Sequence, residues 1–459
     1  MAETDTAQTG DEKQPSLRRV IGPKLLLFFV VGDIIGTGIY ALTGTVAGKI
    51  GGALWLPFVV AFLVAFLTAF SYLELVGKYP RAAGAALYTH KAFGIQILTF
   101  MVAFAVMSSG LTSASSAAVA FGDTYLRELL GDSLVIPGAI VASLFIVVLG
   151  FVNFRGVAES VKLNVVLTCI EITGLLIIVV IGAYAIGTGS GEPSRLIEID
   201  TSDQTAWLAI TSATALAFFA MVGFEDSVNM AEETKDPGRT FPKAMLLGMG
   251  IAALIYVLVT VTSSLLIPAE ELGAAESDAL LRVVSVGAPG FPLWIFALIG
   301  LLAVVNSALI NMLMASRLVY GMAHERIIPR VFGRVHPFRR TPWVSILFTS
   351  AIAIALVSTI DIGILGGTTA LLLLCVFTIV NIAVLVLRRQ PVDHPHFTAP
   401  TWVPVAGAIT CAFLASPLSG REASEYAIAG LLLIAGLVLW VINRLITGRV
   451  DIHPERLTK

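Results

Sequence analysis

The chain has 459 residues, of which 57% are hydrophobic and 13% charged, with a formal net charge of −2 and a mean hydropathy of +0.89. Soluble proteins carry about a quarter of their residues as Asp, Glu, Lys and Arg, so this chain has too little charge to coat a water-facing surface and must turn much of itself to lipid. The near-zero net charge argues against nucleic acid or an acidic polymer as partner.

Residues 1–16 are polar and contain Asp5, Asp11 and Glu12, unlike the basic start of a secretory signal, and read as a disordered cytosolic tail. A helix needs about 20 apolar residues to cross a bilayer. Stretches of that kind fall near 22–47, 53–76, 94–121, 135–153, 162–187, 206–231, 243–267, 292–322, 342–359, 362–387, 401–417 and 425–446, predicting an all-α membrane protein of twelve spans. Twelve spans place both termini on one side. Of the 29 Lys and Arg residues, only Lys49, Arg127, Arg195, Arg282 and Arg421 then fall on the other side. The positive-inside rule puts both ends in the cytoplasm of a cell (inner or plasma) membrane. The opposite loops are acidic, with Glu192, Glu198, Asp200 and Asp203 in one and Glu270, Glu271, Glu276 and Asp278 in another. They either concentrate cations at an outer mouth or are simply the hydrophilic turns any outer loop needs.

The first span is interrupted by Gly32-Asp33-Ile34-Ile35-Gly36-Thr37-Gly38-Ile39-Tyr40. Each glycine in a helix interior costs about 1 kcal/mol relative to alanine. Unwound backbone is tolerated at membrane depth only where it is buried in protein or lines a cavity. Close helix packing through small residues explains the glycines alone; Asp33 adds a charge that packing does not need. The sixth span has a matching interruption at Phe218-Phe219-Ala220-Met221-Val222-Gly223-Phe224-Glu225-Asp226. Irregular helices five spans apart are what an inverted repeat produces, with the site between the repeats.

Carboxylates within spans are costly and normally face an interior or a hydrated path. On the fifth span Asn164, Thr168 and Glu171 follow i, i+4, i+7 spacing and form one polar stripe. Glu171 is either a coupling or gating group or a glutamic acid hydrogen-bonded inside the bundle. Glu74, four residues before Lys78, reads as a structural cap or ion pair. Ser108, Thr112 and Ser115 on the third span, and Ser307 and Asn311 on the eighth, either line a path or join helices.

Cys169, Cys375 and Cys411 lie in apolar runs without metal-ligand spacing and read as small residues packed in the bundle, so no metal site is expected. All six histidines fall in loops or near span ends, and no His-Glu-x-x-His helix occurs. A membrane-embedded enzyme therefore has little support, and a sensor would lack an attached signalling domain.

Four motifs in order resemble the amino acid–polyamine–organocation superfamily of secondary transporters. They are GDIIGTGIY at 32–40, YLELVGKYPRAAGAALYTHKAFG at 72–94, FFAMVGFEDSVNMAEETKDPGRTFPKA at 218–244 and SRLVYGMAHERIIPRVFGRVHPFRRTPW at 316–343. The resemblance implies a cytoplasmic tail over 1–19 and a ten-helix core over 20–390. That core would be two inverted repeats of five helices, about 22–187 and 206–387, followed by two appended helices and a tail over 391–459. It implies that Ile35, Gly36, Thr37 and Gly38 cradle a substrate carboxylate and that Phe219 gates the site. Ala220 and neighbouring carbonyls would face the amino group, with Asp33 and Gly223 beside them. Glu225 matches an acidic gating or proton-linked position, with Asp226 next to it. Relatives often carry Ser or Asn where this chain has Asp33, and several carry a fifth-helix lysine where it has Glu171, so a lysine-based mechanism does not transfer. The expectation is import of a small amino acid with a proton, through Glu171 or the Glu225/Asp226 pair. Sodium is the alternative coupling ion, and no cofactor is expected. A polyamine or cationic amino acid is the alternative substrate, with Asp33 receiving the distal amine.

Overall fold

The computed structural model describes residues 21–80, 84–131, 136–155, 160–202, 204–231, 234–324, 328–339 and 341–447. The tail expected over 1–19, the stretch beyond 447, Asp203, and the basic residues Arg81, Arg326 and Arg340 lie outside the described residues.

Among the described residues every named element is helical, which lets each segment satisfy its own peptide groups where water is absent. The first span is two helices, α1 (Pro23–Ile34) and α2 (Thr37–Ile50). α3 (Trp55–Lys78), the short α4 (Gly84–Phe93) and α5 (Gln96–Val119) follow. α5 continues through a wide-turn stretch, Ala120–Tyr125, into α6 (Leu126–Leu130), so the third span runs well past its expected end at 121. Then come α7 (Gly138–Arg155), α8 (Ser160–Thr188) and α9 (Ala206–Ala217), which opens the second broken span. α10 (Pro237–Leu266) starts six residues before its predicted boundary, with Pro237 in its first turn. The chain continues with α11 (Ala269–Ala275), α12 (Ala279–Gly287), α13 (Leu293–His324), α14 (Trp343–Val357), α15 (Ile362–Leu387), α16 (Trp402–Ala415) and α17 (Ala423–Thr447).

Among the described residues ten helical stretches are long and apolar enough to cross a membrane, counting each broken span once. α14 and α16, at 15 and 14 residues, are shorter. At about 1.5 Å per residue they reach roughly 22 Å against a hydrocarbon core of about 30 Å. The outward surface is apolar, with Val180 67% and Leu431 65% exposed. Cys169 and Cys375 also lie on the exposed surface rather than in the bundle; only Cys411 is buried as expected.

The broken spans occupy the centre. α1 packs against α8 and α10, and α2 against α9 and α11. At the end where the described chain begins, the Lys235 N–H donates to Ile21 O at 2.9 Å. At the other end Asp200 N–H donates to Ile50 O at 2.9 Å, and Lys49 pairs with Glu422 at 2.6 Å. That second end is closed by backbone contact: a side chain on Gly44 would meet the Glu276 and Leu272 carbonyls, and one on Gly273 would meet Gly48.

Glu74 is an ion-pair residue as expected, but its partner is not Lys78. Both its oxygens accept from Arg388 at 2.7 Å, and Oε2 also accepts from the Ala399 N–H at 2.9 Å. Lys78 instead donates to Leu387 O. Lys78 thus caps the end of α15, and Arg388, just beyond that end, ties it to α3.

Candidate functional site

The first break is made by two residues. Ile35 leaves the helix at φ −78°, ψ 93°, and Gly36 follows at φ −153°, ψ −141° before α2 restarts at Thr37. The Ile34 carbonyl, freed by the break, accepts from Tyr256 Oη at 2.6 Å. The first amides of α2 have no helical acceptor, so the restart presents N–H groups and the positive end of a 14-residue helix.

The second break begins where α9 tightens through Phe218–Met221. Val222 is extended at φ −73°, ψ 149°, and Gly223 takes φ +123°, a value an L side chain rarely adopts. Glu225 folds back so that its Oε2 accepts from the Gly223 N–H at 2.9 Å. A carboxylate two residues on therefore satisfies an amide the helix has abandoned.

The two breaks seat directly on each other. A Cβ at Gly38 would lie 2.8 Å from the Ala220 Cβ and closer still to its Cα. A Cβ at Gly223 would lie 2.6 Å from Asp33 O and 2.7 Å from its carbonyl carbon. Glycine is required at both positions because the nearest neighbours are backbone atoms, which cannot swing aside as a flexible side chain can.

Between the breaks lies a hollow of about 30 Å³, room for no more than a couple of water molecules. The first span contributes Asp33, Gly36, Thr37 and Gly38, and the sixth Phe219, Gly223 and Asp226. Ile34 and Val222, Ser113 of α5, and Ser307 and Asn311 of α13 complete the wall. A second cavity of about 190 Å³ shares Ser113, Val222, Asp226 and Asn311 with the first, so the two are neighbours across those side chains. This vestibule extends past Glu225 to Gly84, Asn229 and Arg317. Its direction is therefore the end where Ile21 meets Thr234.

Of the residues expected at the site, Asp33, Gly36, Thr37, Gly38, Phe219, Gly223 and Asp226 line the inner hollow, and Glu225 the vestibule. Ile35 and Ala220 are not among the lining residues; both are buried, and Ala220 is spent on contact with Gly38. Glu171 lines neither space. It is fully buried on α8, where Oε1 accepts from Asn306 Nδ2 at 3.1 Å and Oε2 has no hydrogen-bond partner among the described residues. Its backbone carbonyl accepts from Tyr40 Oη at 2.6 Å, and Tyr125 Oη in turn donates to Tyr40 O at 2.7 Å. The stripe on α8 does face the first broken span: a side chain at Gly32 would collide with Thr168. Ser307 and Asn311 line the hollow. Ser108, Thr112 and Ser115 do not line either space, and Thr112 is hydrogen-bonded to Thr369 at 2.6 Å. The adjacent row, Ser109, Gly110 and Ser113, faces the vestibule instead. Tyr72, Asn229 and Thr369 also line it, and no periodic signal marks them in the sequence.

A membrane bundle whose two broken helices enclose a small polar hollow, joined to a wider vestibule, has the construction of a carrier for a small solute. The chain belongs to the amino acid permease family, whose sequence profile matches residues 21–441. It is 25% identical over 426 residues to the branched-chain amino acid permease BcaP of Bacillus subtilis (strain 168), a match covering 89% of this chain and 88% of that one. It is 26% identical over 427 residues to the methylthioribose transporter of the same organism, covering 88% and 87%. The cationic amino acid transporter 4 of Mus musculus matches at 29% over 405 residues, 83% of this chain and 62% of the relative. The protein is a multi-pass membrane transporter, not an enzyme.

Proposed function

We propose that the protein is a secondary active transporter that imports an amino acid together with a proton by alternating access. The observation that carries this reading is the contact between the two breaks, which leaves freed amides of α2 and two carboxylates around one hollow. The substrate carboxylate sits at the start of α2, against Gly36, Thr37 and Gly38, where the helix end favours an anion. Its amino group faces Asp33 and the carbonyls of the sixth-span turn, with Phe219 closing over it. The cavity pattern corresponds to a carrier open toward the end where the described chain begins. With the surplus of Lys and Arg on that side, this is the cytoplasmic face, and both termini are cytoplasmic. The full architecture is twelve spans, with α14 and α16 as short spans and two inverted five-helix repeats meeting at the breaks.

One elementary charge crossing 100 mV supplies about 2.3 kcal/mol, enough for roughly fiftyfold accumulation. The proton passes through Glu171 or the Glu225/Asp226 pair. A second reading, transport of a polyamine or cationic amino acid, is favoured by one specific observation: the inner hollow is lined by two carboxylates and no basic side chain. The relatives' names range from branched-chain to cationic amino acids and methylthioribose, so substrate charge is a property of this chain's own residues.

Counterflow in proteoliposomes, against a panel of amino acids and amines with and without pH and sodium gradients, tests the reading. Exchange of an amino acid stimulated by an inward proton gradient is the expected result. Exchange driven by sodium alone would replace the coupling ion, and an absence of exchange with every amino acid and amine would remove the transport reading itself.

A further inference from the structure

The inner hollow is too small for a whole amino acid. At about 30 Å³ it takes only part of the α-carbon end, and the rest of the substrate, with any longer side chain, has to extend into the 190 Å³ vestibule. A four-methylene chain carries its terminal atom roughly 6 Å from the α-carbon, well beyond the hollow. Of the two carboxylates in the hollow, Asp33 lines that space alone, whereas Asp226 lines both. Asp226 therefore stands at the junction, beside the path of the substrate side chain. Neither aspartate forms an ion pair among the described residues, and Asp33 Oδ2 is shielded from solvent without a hydrogen-bond partner. Thr37 is a second polar group aimed at the space. It is 2% exposed, lines the hollow, and its hydroxyl has no hydrogen-bond partner among the described residues. Arg317 lines the vestibule but not the hollow.

We infer that Asp226 is the specificity-determining residue for substrate charge, favouring amino acids whose side chain ends in an ammonium or guanidinium over neutral ones of the same length. The inference rests on the permease reading above. Asp33 meets the α-ammonium that every amino acid carries and so does not discriminate; Asp226 meets the group that only cationic substrates have. Asp226 is only partly buried, but it stands at the junction without an ion-pair partner among the described residues; a distal cation gains charge attraction there that an alkyl terminus cannot.

Lysine and norleucine differ only in the ε-ammonium, and their relative counterflow in proteoliposomes isolates this contact. The wild-type protein is expected to favour lysine by about tenfold or more, a difference of ~1.4 kcal/mol. Asp226→Asn should bring the ratio close to unity, Asp226→Glu should retain it, and Asp33→Asn should weaken both substrates together. Ligand-induced melting shifts of the purified protein give the same ratio for any variant that folds but does not transport. A wild-type ratio at or below unity, or a lysine preference that survives in Asp226→Asn, overturns the inference while leaving a transporter of neutral amino acids. If no amino acid exchanges at all, the permease reading falls and this inference with it.

Discussion

Replacing Gly223 with alanine perturbs the point where the two broken spans touch. Its φ of +123° is strained for any L side chain, at a cost of about 1–3 kcal/mol. The added Cβ would also lie 2.6 Å from Asp33 O and 2.7 Å from its carbonyl carbon. Ordinary contacts between such atoms are about 3.5–4.0 Å, so the two backbones must separate by roughly 1 Å, an overpacking worth about 1–3 kcal/mol more. The total is about 2–6 kcal/mol, taken from the contact that shapes the hollow. Thermal melting in detergent, followed by intrinsic fluorescence, reads the stability, and counterflow reads the function. Gly250→Ala on α10 is the control, because nothing lies within 4 Å of its added Cβ; helix propensity there favours alanine by about 1 kcal/mol. Gly223→Ala should melt well below wild type and lose exchange, while Gly250→Ala melts at or above it. Wild-type melting and exchange in Gly223→Ala would refute the claim that the breaks are seated through this glycine.

Two further variants probe groups that the bundle commits elsewhere. The Arg421 side chain is 1% exposed and pairs with Glu425 while donating to the Ala215, Gly367 and Leu414 carbonyls. It thereby ties the α16–α17 connection to α9 just before its break. Arg421→Ala strands a buried carboxylate and should cost about 3–5 kcal/mol in melting experiments; the double variant Arg421→Ala/Glu425→Ala should recover part of the loss, and equal losses in both would contradict the pairing. Glu171→Gln keeps an oxygen that can accept from Asn306 but cannot give up a proton. It should fold and bind substrate, yet lose stimulation of uptake by an inward proton gradient; retained stimulation would move the coupling role to another carboxylate.

Much of this site is legible in the amino-acid sequence alone. Three glycines beside Asp33 are expensive inside a helix unless the backbone is meant to open, and the matching interruption at Gly223 lies five spans on. The stripe of Asn164, Thr168 and Glu171 turns toward the first span as its spacing requires. Rotation and range are what local pattern does not encode. α5 carries two adjacent rows of small polar residues, and periodicity cannot say which one packing will turn inward; Ser109 and Ser113 face the vestibule, while Thr112 is bound to Thr369. Glu74 has a plausible base four residues away but pairs with Arg388, 314 positions along the chain. No short-range spacing specifies that separation. Ile35 belongs to the motif and so reads as part of the cradle, yet the lining residue beside Asp33 is Ile34; a broken helix no longer follows the 3.6-residue count that places side chains on faces.

The most direct measurement is thiol accessibility at Thr37→Cys and Ser307→Cys, which line the hollow from two different helices, in a background without Cys169, Cys375 and Cys411. A hydrated pocket between the two breaks requires that a small, membrane-impermeant thiol reagent reach both positions, and that a transported amino acid slow both reactions. Cysteines that stay unreactive in the folded protein, or react at the same rate with and without every amino acid that exchanges, would contradict it.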